Sequence, residues 1–302
     1  MVRYHAVLSE GEPADAPLAI GNLPKGWNPV QPVHMKLRDG RDRLYFWVHG
    51  PGVVRYLAAE SGDGRRYRVV DPLCPCLYHP FDRASRPCDP ALAGLVGQPY
   101  LDSHPQPPGE ERAPTDLRCN DATTVYQLAD GSFELFTPGL IPVDKNDARY
   151  VAHDNAPGLV RVIDRLTSHD GLRWENRQRV LIPDLDDPCD LQFYHLAVTH
   201  TPEGRVGLLG HYRVEAQTMD LEWCFSQDGI AWERPHRCGW LPRGEPGEAD
   251  CYGIYPPHSS VYHGGQWWLF YTGVNHAHNH QHSCGQPRSV VMAAKAESLW
   301  RP

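Results

Sequence analysis

Ser226-Gln227-Asp228-Gly229-Ile230-Ala231-Trp232 decides how this chain is read, because the same pattern occurs at two other places. Ser168-His169-Asp170-Gly171-Leu172-Arg173-Trp174 is a close copy, and Ser61-Gly62-Asp63-Gly64-Arg65-Arg66-Tyr67 ends in Tyr in place of Trp. Each copy follows a short apolar run, such as Leu221-Glu222-Trp223-Cys224-Phe225, whose alternation reads as a strand arriving at a turn. Asp-Gly suits a tight turn, since glycine accepts positive φ and aspartate can accept hydrogen bonds from its own backbone. The aromatic three positions past the glycine can then fold back on the strand just left. A strand, a turn and an aromatic anchor that recur along a chain predict the blade of a β-propeller.

Composition around these repeats agrees. The 302 residues include 29 Pro, 27 Gly, 9 Trp and 14 Tyr and no long stretch of helix formers, which describes short strands joined by turns in a single all-β domain. A net charge of -8 without a basic patch argues against nucleic acid or an anionic membrane as a partner. No run approaches the ~18 apolar residues of a membrane span. The N-terminal Met1-Val2-Arg3-Tyr4-His5-Ala6-Val7-Leu8 lacks a hydrophobic signal core, so a cytoplasmic location is expected. The nine cysteines, odd in number and scattered, read as reduced thiols and not as a secreted disulfide scaffold.

The repeats set the register of the remaining chain. A first blade runs through Val30–Leu37, Arg43–His49, Val53–Glu60 and Tyr67–Val70, and a second through Ala122–Leu128, Phe133–Thr137, Leu159–Thr167 and Val180–Ile182. A third uses Phe193–Thr199, Val206–Tyr212 and Met219–Phe225, and a fourth Ser259–Tyr262, Trp267–Thr272 and Ser289–Ala294. Asp63 to Asp170 spans 107 residues but Asp170 to Asp228 only 58, so an insertion lies between the first two copies. It is the Pro-rich segment 71–118, read as a lid or interface arm or as a plain surface loop. The strand expected at Tyr4–Leu8 can pair with the C-terminus, and a fifth blade is left to the chain ends and the insertion.

In a propeller the innermost strand of each blade lines the central channel, so blade starts are where chemistry converges. They read Trp27-Asn28-Pro29-Val30-Gln31-Pro32-Val33-His34, Asn120-Asp121, Asp190-Leu191-Gln192-Phe193-Tyr194-His195 and Glu248-Ala249-Asp250-Cys251-Tyr252. Three successive starts carry an aspartate at intervals of 69 and 60 residues.

The repeated Ser-x-Asp-Gly-x-x-Trp turns, Asp190-Leu191-Gln192-Phe193-Tyr194 and Trp267-Trp268-Leu269-Phe270-Tyr271-Thr272-Gly273 resemble the five-bladed propeller glycoside hydrolases. That group includes the arabinanase and β-xylosidase type and the invertase and levanase type. The resemblance spans roughly residues 27–300 and implies five four-stranded antiparallel blades. It also implies a trio of carboxylates: a general base or nucleophile, an orienting group and a general acid. At matching positions these are Asp121, Asp190 and Asp250, with Glu248 as substitute for the last. Glycosidic cleavage needs one protonated and one ionised carboxyl flanking the bond, about 6.5–9.5 Å apart for inversion and about 5–5.5 Å for retention. The sequence departs from the family at its first blade, where Gln31 and His34 stand in place of an acid, and His195 and His258 are alternatives for that role.

Trp27, Tyr194, Tyr252 and Tyr255 are placed to stack on a sugar, or to pack between blades. Trp174, Trp232, Trp267 and Trp268 are assigned to packing. Alternating histidines in Asn275-His276-Ala277-His278-Asn279-His280-Gln281-His282 face one way in an extended segment, which suits a metal at His276 and His278, a sugar-contacting loop or a solvated turn. The reaction itself requires no cofactor. Three readings stay open: an inverting hydrolase of a short neutral oligosaccharide, a phosphorylase on the same scaffold, and a non-catalytic sugar-binding propeller. A homo-oligomer is compatible with all three.

Overall fold

Successive apolar runs separated by glycine-bearing turns fold into antiparallel meanders. The computed structural model describes residues 2–4, 19–85 and 105–299. Within them the chain is all-β, with nineteen strands and two short 3-10 turns. The chain folds as two compact units. The first comprises Met1–Ala14, Val143–Ile163 and Arg179–Pro302, and the second Asp15–Pro142 and Asp164–Gln178.

In the second unit, β3 (Asn28–Lys36), β4 (Asp42–Gly50), β5 (Val53–Ser61) and β6 (Arg66–Val69) form an up-and-down sheet. On its outer edge, β2 (Ala19–Gly21) lies parallel to β6. Further along, β8 (Thr124–Gln127) and β9 (Phe133–Pro142) lead into β10 (Leu159–Ser168) and β11 (Glu175–Leu181), and the division between units falls inside these last two strands. One core joins the two meanders within the second unit: Tyr45, Trp47 and Tyr56 from the first pack with Val125, Phe133 and Leu135 from the next, closed by Trp174. Trp47 and Tyr56 are wholly buried, each burial contributing roughly 2–3 kcal/mol.

In the first unit, β12 (Leu191–Thr201), β13 (Gly204–Arg213) and β14 (Thr218–Ser226) form one meander, edged by β15 (Gly239–Leu241). The next is β16 (Gly253–Tyr255), β18 (Gln266–Val274) and β19 (Ser289–Ala296), with β17 (Val261–His263) against β18. A single parallel pairing, Met219 with Gly253, links the two. At the far edge β1 (Val2–Tyr4) runs antiparallel to β19, Val2 opposite Lys295 and Tyr4 opposite Ala293. The N-terminal strand thus completes the last meander, but it spans Val2–Tyr4 and shares only Tyr4 with the strand expected at Tyr4–Leu8; residues 5–8 lie outside the described residues.

The three repeated turns are built alike. Each closes the third strand of its meander, at Ser61, Ser168 and Ser226, and the following glycine has φ of 67°, 71° and 78°. The serine hydroxyl meets the aspartate Oδ1 at 2.8, 3.0 and 3.1 Å, and that oxygen accepts the backbone N–H groups two and three residues on. Those donors hold the Asp63 carboxyl down at about 2, the Arg66 and Arg65 amides first among them. The anchors also fold back: Tyr67 and Trp174 are buried, and Trp232 Nε1 donates to Gly229 O at 3.1 Å.

Three elements differ from expectation. The edge strand β15 and the linking strand β16, three residues each, are too short to show alternation. The insertion is only partly a loop, since β7 (Leu77–Tyr78) pairs with Arg55 and Tyr56 of β5 along the stretch that β6 leaves open. Behind it Arg55 is 2% exposed and pairs with Asp82 and Glu110, and Arg83 pairs with Glu110. Residues 86–104 of the insertion lie outside the described residues.

Candidate functional site

In the second unit the focus is Asp121, just ahead of β8. It is held from β3, where register slips between Val30 and Val33 and Gln31 takes the left-handed φ of 51°. That bulge turns the Gln31 side chain toward the next meander. Its Nε2 donates to Asp121 Oδ2 at 2.9 Å, and its Oε1 accepts from the Ala122 backbone N–H at 3.0 Å. Ala122 also has a left-handed φ, 69°, which a Cβ-bearing residue adopts at a cost of about 1–2 kcal/mol. Both ends of one amide are therefore used to fix a carboxylate and the strained peptide beside it.

Below this clamp, buried His79 bonds Asn120 Oδ1 at 2.8 Å. Burial pushes the His79 imidazole below its ordinary range, against the pull of Asp121 and Asn120. Trp27 and His34, expected to meet substrate, have other partners. Arg55 lies over the Trp27 ring at 5.7 Å, and His34 Nε2 meets Asp42 Oδ1 at 3.0 Å beside Lys36.

In the first unit, Asp190 opens β12 and pairs through Oδ1 with Arg213 Nε at 2.9 Å and Nη2 at 2.5 Å. Asp250, ahead of β16, is fully buried and accepts from Tyr271 Oη at 3.1 Å. Glu248 is exposed, and its Oε2 accepts from the Glu245 N–H at 2.8 Å. Glu248 and Asp250 close on the same glycine, Gly244, where a Cβ would overlap an oxygen of each. The structure thus brings these two together, and of the pair only Glu248 is open to solvent.

The residues that follow Asp190 form a second bulge. Register slips between Phe193 and Leu196, leaving Tyr194 and His195 against Gly210 of β13. The His195 ring lies flat on that glycine: a Cβ there would come within 2.6–2.8 Å of three ring atoms. Its buried Nε2 has no hydrogen-bond partner among the described residues. Burial first, and the charge of His278 second, push His195 down to about 3.

Gln192 is also buried, its Oε1 accepting from Arg161 Nη1 at 2.6 Å and its Nε2 donating to Leu159 O at 3.1 Å. Arg161 lies 5.3 Å from the ring centroids of Tyr194 and Tyr212 and pairs with Asp154 at 2.9 Å, while Tyr212 Oη donates to Asp154 at 2.8 Å. Gln192 and Tyr194 therefore belong to a packed polar network, and His195 touches it only through the edge-on ring of Tyr194. Asp154 and Tyr212 in that network carry no sequence signal, because Asp154 sits in a loop and Tyr212 reads as an ordinary strand residue.

The histidine run does not present one face. His276 stacks on His280 at 4.5 Å, with its Nδ1 against Ala277 O at 3.1 Å. His278 lies edge-on to Tyr194 and Tyr212 at 4.7 and 4.9 Å, and both its nitrogens are engaged, by Tyr255 Oη at 2.8 Å and Asn155 Nδ2 at 3.2 Å. Among the described residues no group of three His, Cys, Asp or Glu side chains is arranged to hold a metal ion. Tyr252 and His258 are half-buried, and the Tyr252 N–H donates to Val274 O at 3.1 Å.

No family model matches the chain. No curated protein matches it significantly. Solved structures do. An N-acetylgalactosamine deacetylase from F. plautii, in complex with blood group B trisaccharide, shares 16% identity over 95% of this chain and 76% of its own, with a TM-score of 0.57. A thermostable family-43 glycoside hydrolase shares 10% identity over 88% of this chain and 71% of its own, TM-score 0.54. A β-1,2-mannobiose phosphorylase from Listeria innocua shares 8% identity, TM-score 0.54; 89% of this chain is covered but only 57% of the phosphorylase. Identities this low speak for the fold. What this chain shares with these proteins, the family-43 glycoside hydrolase among them, is their fold.

Proposed function

We propose that this protein is an inverting glycoside hydrolase that cleaves a short neutral oligosaccharide, on a single-domain propeller of five four-stranded blades. Asp121 is the general base that activates water, Asp190 the group that orients and tunes, and Glu248 the general acid, with buried Asp250 behind it. The observation that carries this reading is the clamp on Asp121. A base must be aimed at its water, and here a bulged glutamine and a strained peptide are spent on aiming one half-buried carboxylate. The fold shared with sugar-active enzymes supports the substrate class, and the scattered thiols fit a cytoplasmic setting.

The test is turnover of a panel of aryl glycosides and oligosaccharides, with the anomer of the first-formed product read by NMR. Inversion, and loss of turnover in Asp121→Asn and Glu248→Gln, support the assignment. Unchanged rates in both variants would sink it. The Arg213 guanidinium, partly exposed beside Asp190, favours one second reading. As a phosphate-holding group it would make the protein a phosphorylase, in which case turnover requires inorganic phosphate and releases a sugar phosphate.

A further inference from the structure

Within the second unit the side-chain amide of Asn120, next to Asp121, has a fixed orientation and one unused end. The fixing begins at His79. Its backbone N–H donates to Val54 O at 3.0 Å, and its carbonyl accepts from the Asp82 N–H at 2.9 Å and from Ser85 Oγ at 2.8 Å. The ring stands edge-on to Phe81 at 4.7 Å and to Trp47 at 6.3 Å. The Phe81 backbone N–H lies 3.1 Å from His79 Nδ1, and a backbone N–H only donates, so Nδ1 accepts. Burial disfavours the imidazolium, and a neutral ring that accepts at Nδ1 carries its proton on Nε2. Nε2 therefore donates across 2.8 Å to Asn120, and the atom that receives is the amide oxygen Oδ1.

The other groups of Asn120 are engaged in turn. Its backbone N–H donates to Pro138 O at 2.8 Å, and its main-chain oxygen accepts from Thr137 Oγ1 at 3.3 Å. With Oδ1 committed to His79, only Nδ2 is left. Nδ2 has no partner among the described residues, and it is not one of the buried atoms stranded without one, so it reaches solvent. The other amide at this carboxylate, that of Gln31, uses both its ends to hold Asp121 and Ala122. Asn120 thus offers a donor and no acceptor, one residue from the clamped carboxylate.

We propose that Asn120 determines specificity: its Nδ2, turned away from His79, donates to an acceptor oxygen of the ligand bound at Asp121. On the reading of Asp121 as the base, on which this rests, the acceptor is a hydroxyl oxygen of the sugar attacked there, and an analogue lacking that hydroxyl leaves the donor unpaired. Asn120 is the residue that touches ligand, and His79 is a positioning residue.

The orientation is tested without any activity. Imidazole 15N NMR of the full chain should show His79 protonated at Nε2 and bare at Nδ1. Protonation at Nδ1, or at both nitrogens, overturns it.

Recognition is read with the best glycoside of the turnover panel and its monodeoxy analogues as probes. At least one analogue should lose about tenfold in kcat/KM with wild type, and that penalty should vanish in Asn120→Ala. Asn120→Asp, which keeps the acceptor for His79 and loses the donor, gives the same reading where the alanine variant does not fold. His79→Phe releases the amide and should remove most of the discrimination, whereas His79→Gln, whose amide nitrogen can donate in place of Nε2, should keep it. A packing role alone would alter rate and stability in these variants without moving the ratio of parent to analogue. Discrimination that persists in Asn120→Ala and Asn120→Asp while Asp121→Asn is inactive overturns the role of Asn120 alone. Full turnover in Asp121→Asn, or no turnover of the panel by wild type, removes the base reading and the sugar contact with it.

Discussion

Two edge strands, β3 in one unit and β12 in the other, carry the same irregularity and use it in opposite ways. In β3 the bulge lifts Gln31 into a left-handed backbone and sends an exposed amide to clamp Asp121. In β12 it sinks His195 onto Gly210, where the imidazole is neutral and its Nε2 unsatisfied. A bulge re-aims a side chain, but what surrounds the re-aimed group decides its chemistry. Solvent and a carboxylate partner make a positioned polar group; a glycine cradle and burial make a wedge that stays uncharged.

The largest effect should come from the clamped carboxylate. Asp121→Asn keeps the shape of the side chain and removes the base, so kcat should fall about 10²–10⁴-fold with little change in thermal stability. A fall of less than threefold would reduce the clamp to a structural turn. The β12 bulge should answer in stability instead. Gly210→Ala drives a methyl into the His195 ring and should cost about 1–3 kcal/mol by urea unfolding, and a neutral result would mean that the ring does not rest on this glycine.

Protonation separates the two bulges further. His195 is held down at about 3 and His211 at about 4, both chiefly by burial, whereas an unfolded histidine titrates near its ordinary value of about 6.5. Between these values the unfolded chain binds more protons, so stability is full above about pH 6.5 and falls as pH drops toward the folded values. At pH 5 the loss should be on the order of 1–2 kcal/mol for each histidine. Urea unfolding at pH 7 and pH 5 measures it, and His195→Gln should retain a larger share of its pH 7 stability. An equal acid loss in wild type and variant would put the protonation elsewhere.

The smallest effect concerns strain. Ala122→Gly relieves a left-handed φ and should raise stability by up to about 1 kcal/mol while lowering kcat severalfold, because the loosened peptide no longer fixes Asp121. A variant gaining stability at full activity would show that the strain serves nothing.

Much of this was legible along the chain. The Ser-x-Asp-Gly turns, the strands they close and the aromatic anchors depend on local chemistry, namely a glycine at positive φ and an aspartate bonded to its own backbone. Gln31, Asp121 and His195 were reached as openings of inner strands, but not what each does. A bulge leaves no mark on the pattern of residue types, so Gln31 reads as a group for substrate until Asp121 is found against it.

What sequence alone determined, then, is the all-β meander, its repeat and the positions from which acidic side chains are offered. Tertiary structure alone decided which offers are usable: it buried Asp250, paired Asp190 with Arg213, left Glu248 in solvent and tied His278 to Asn155 and Tyr255. The division follows from range. Turns and strands are set by neighbours a few residues away, whereas burial, ion pairing and the direction of a hydrogen bond depend on partners brought together from distant parts of the chain.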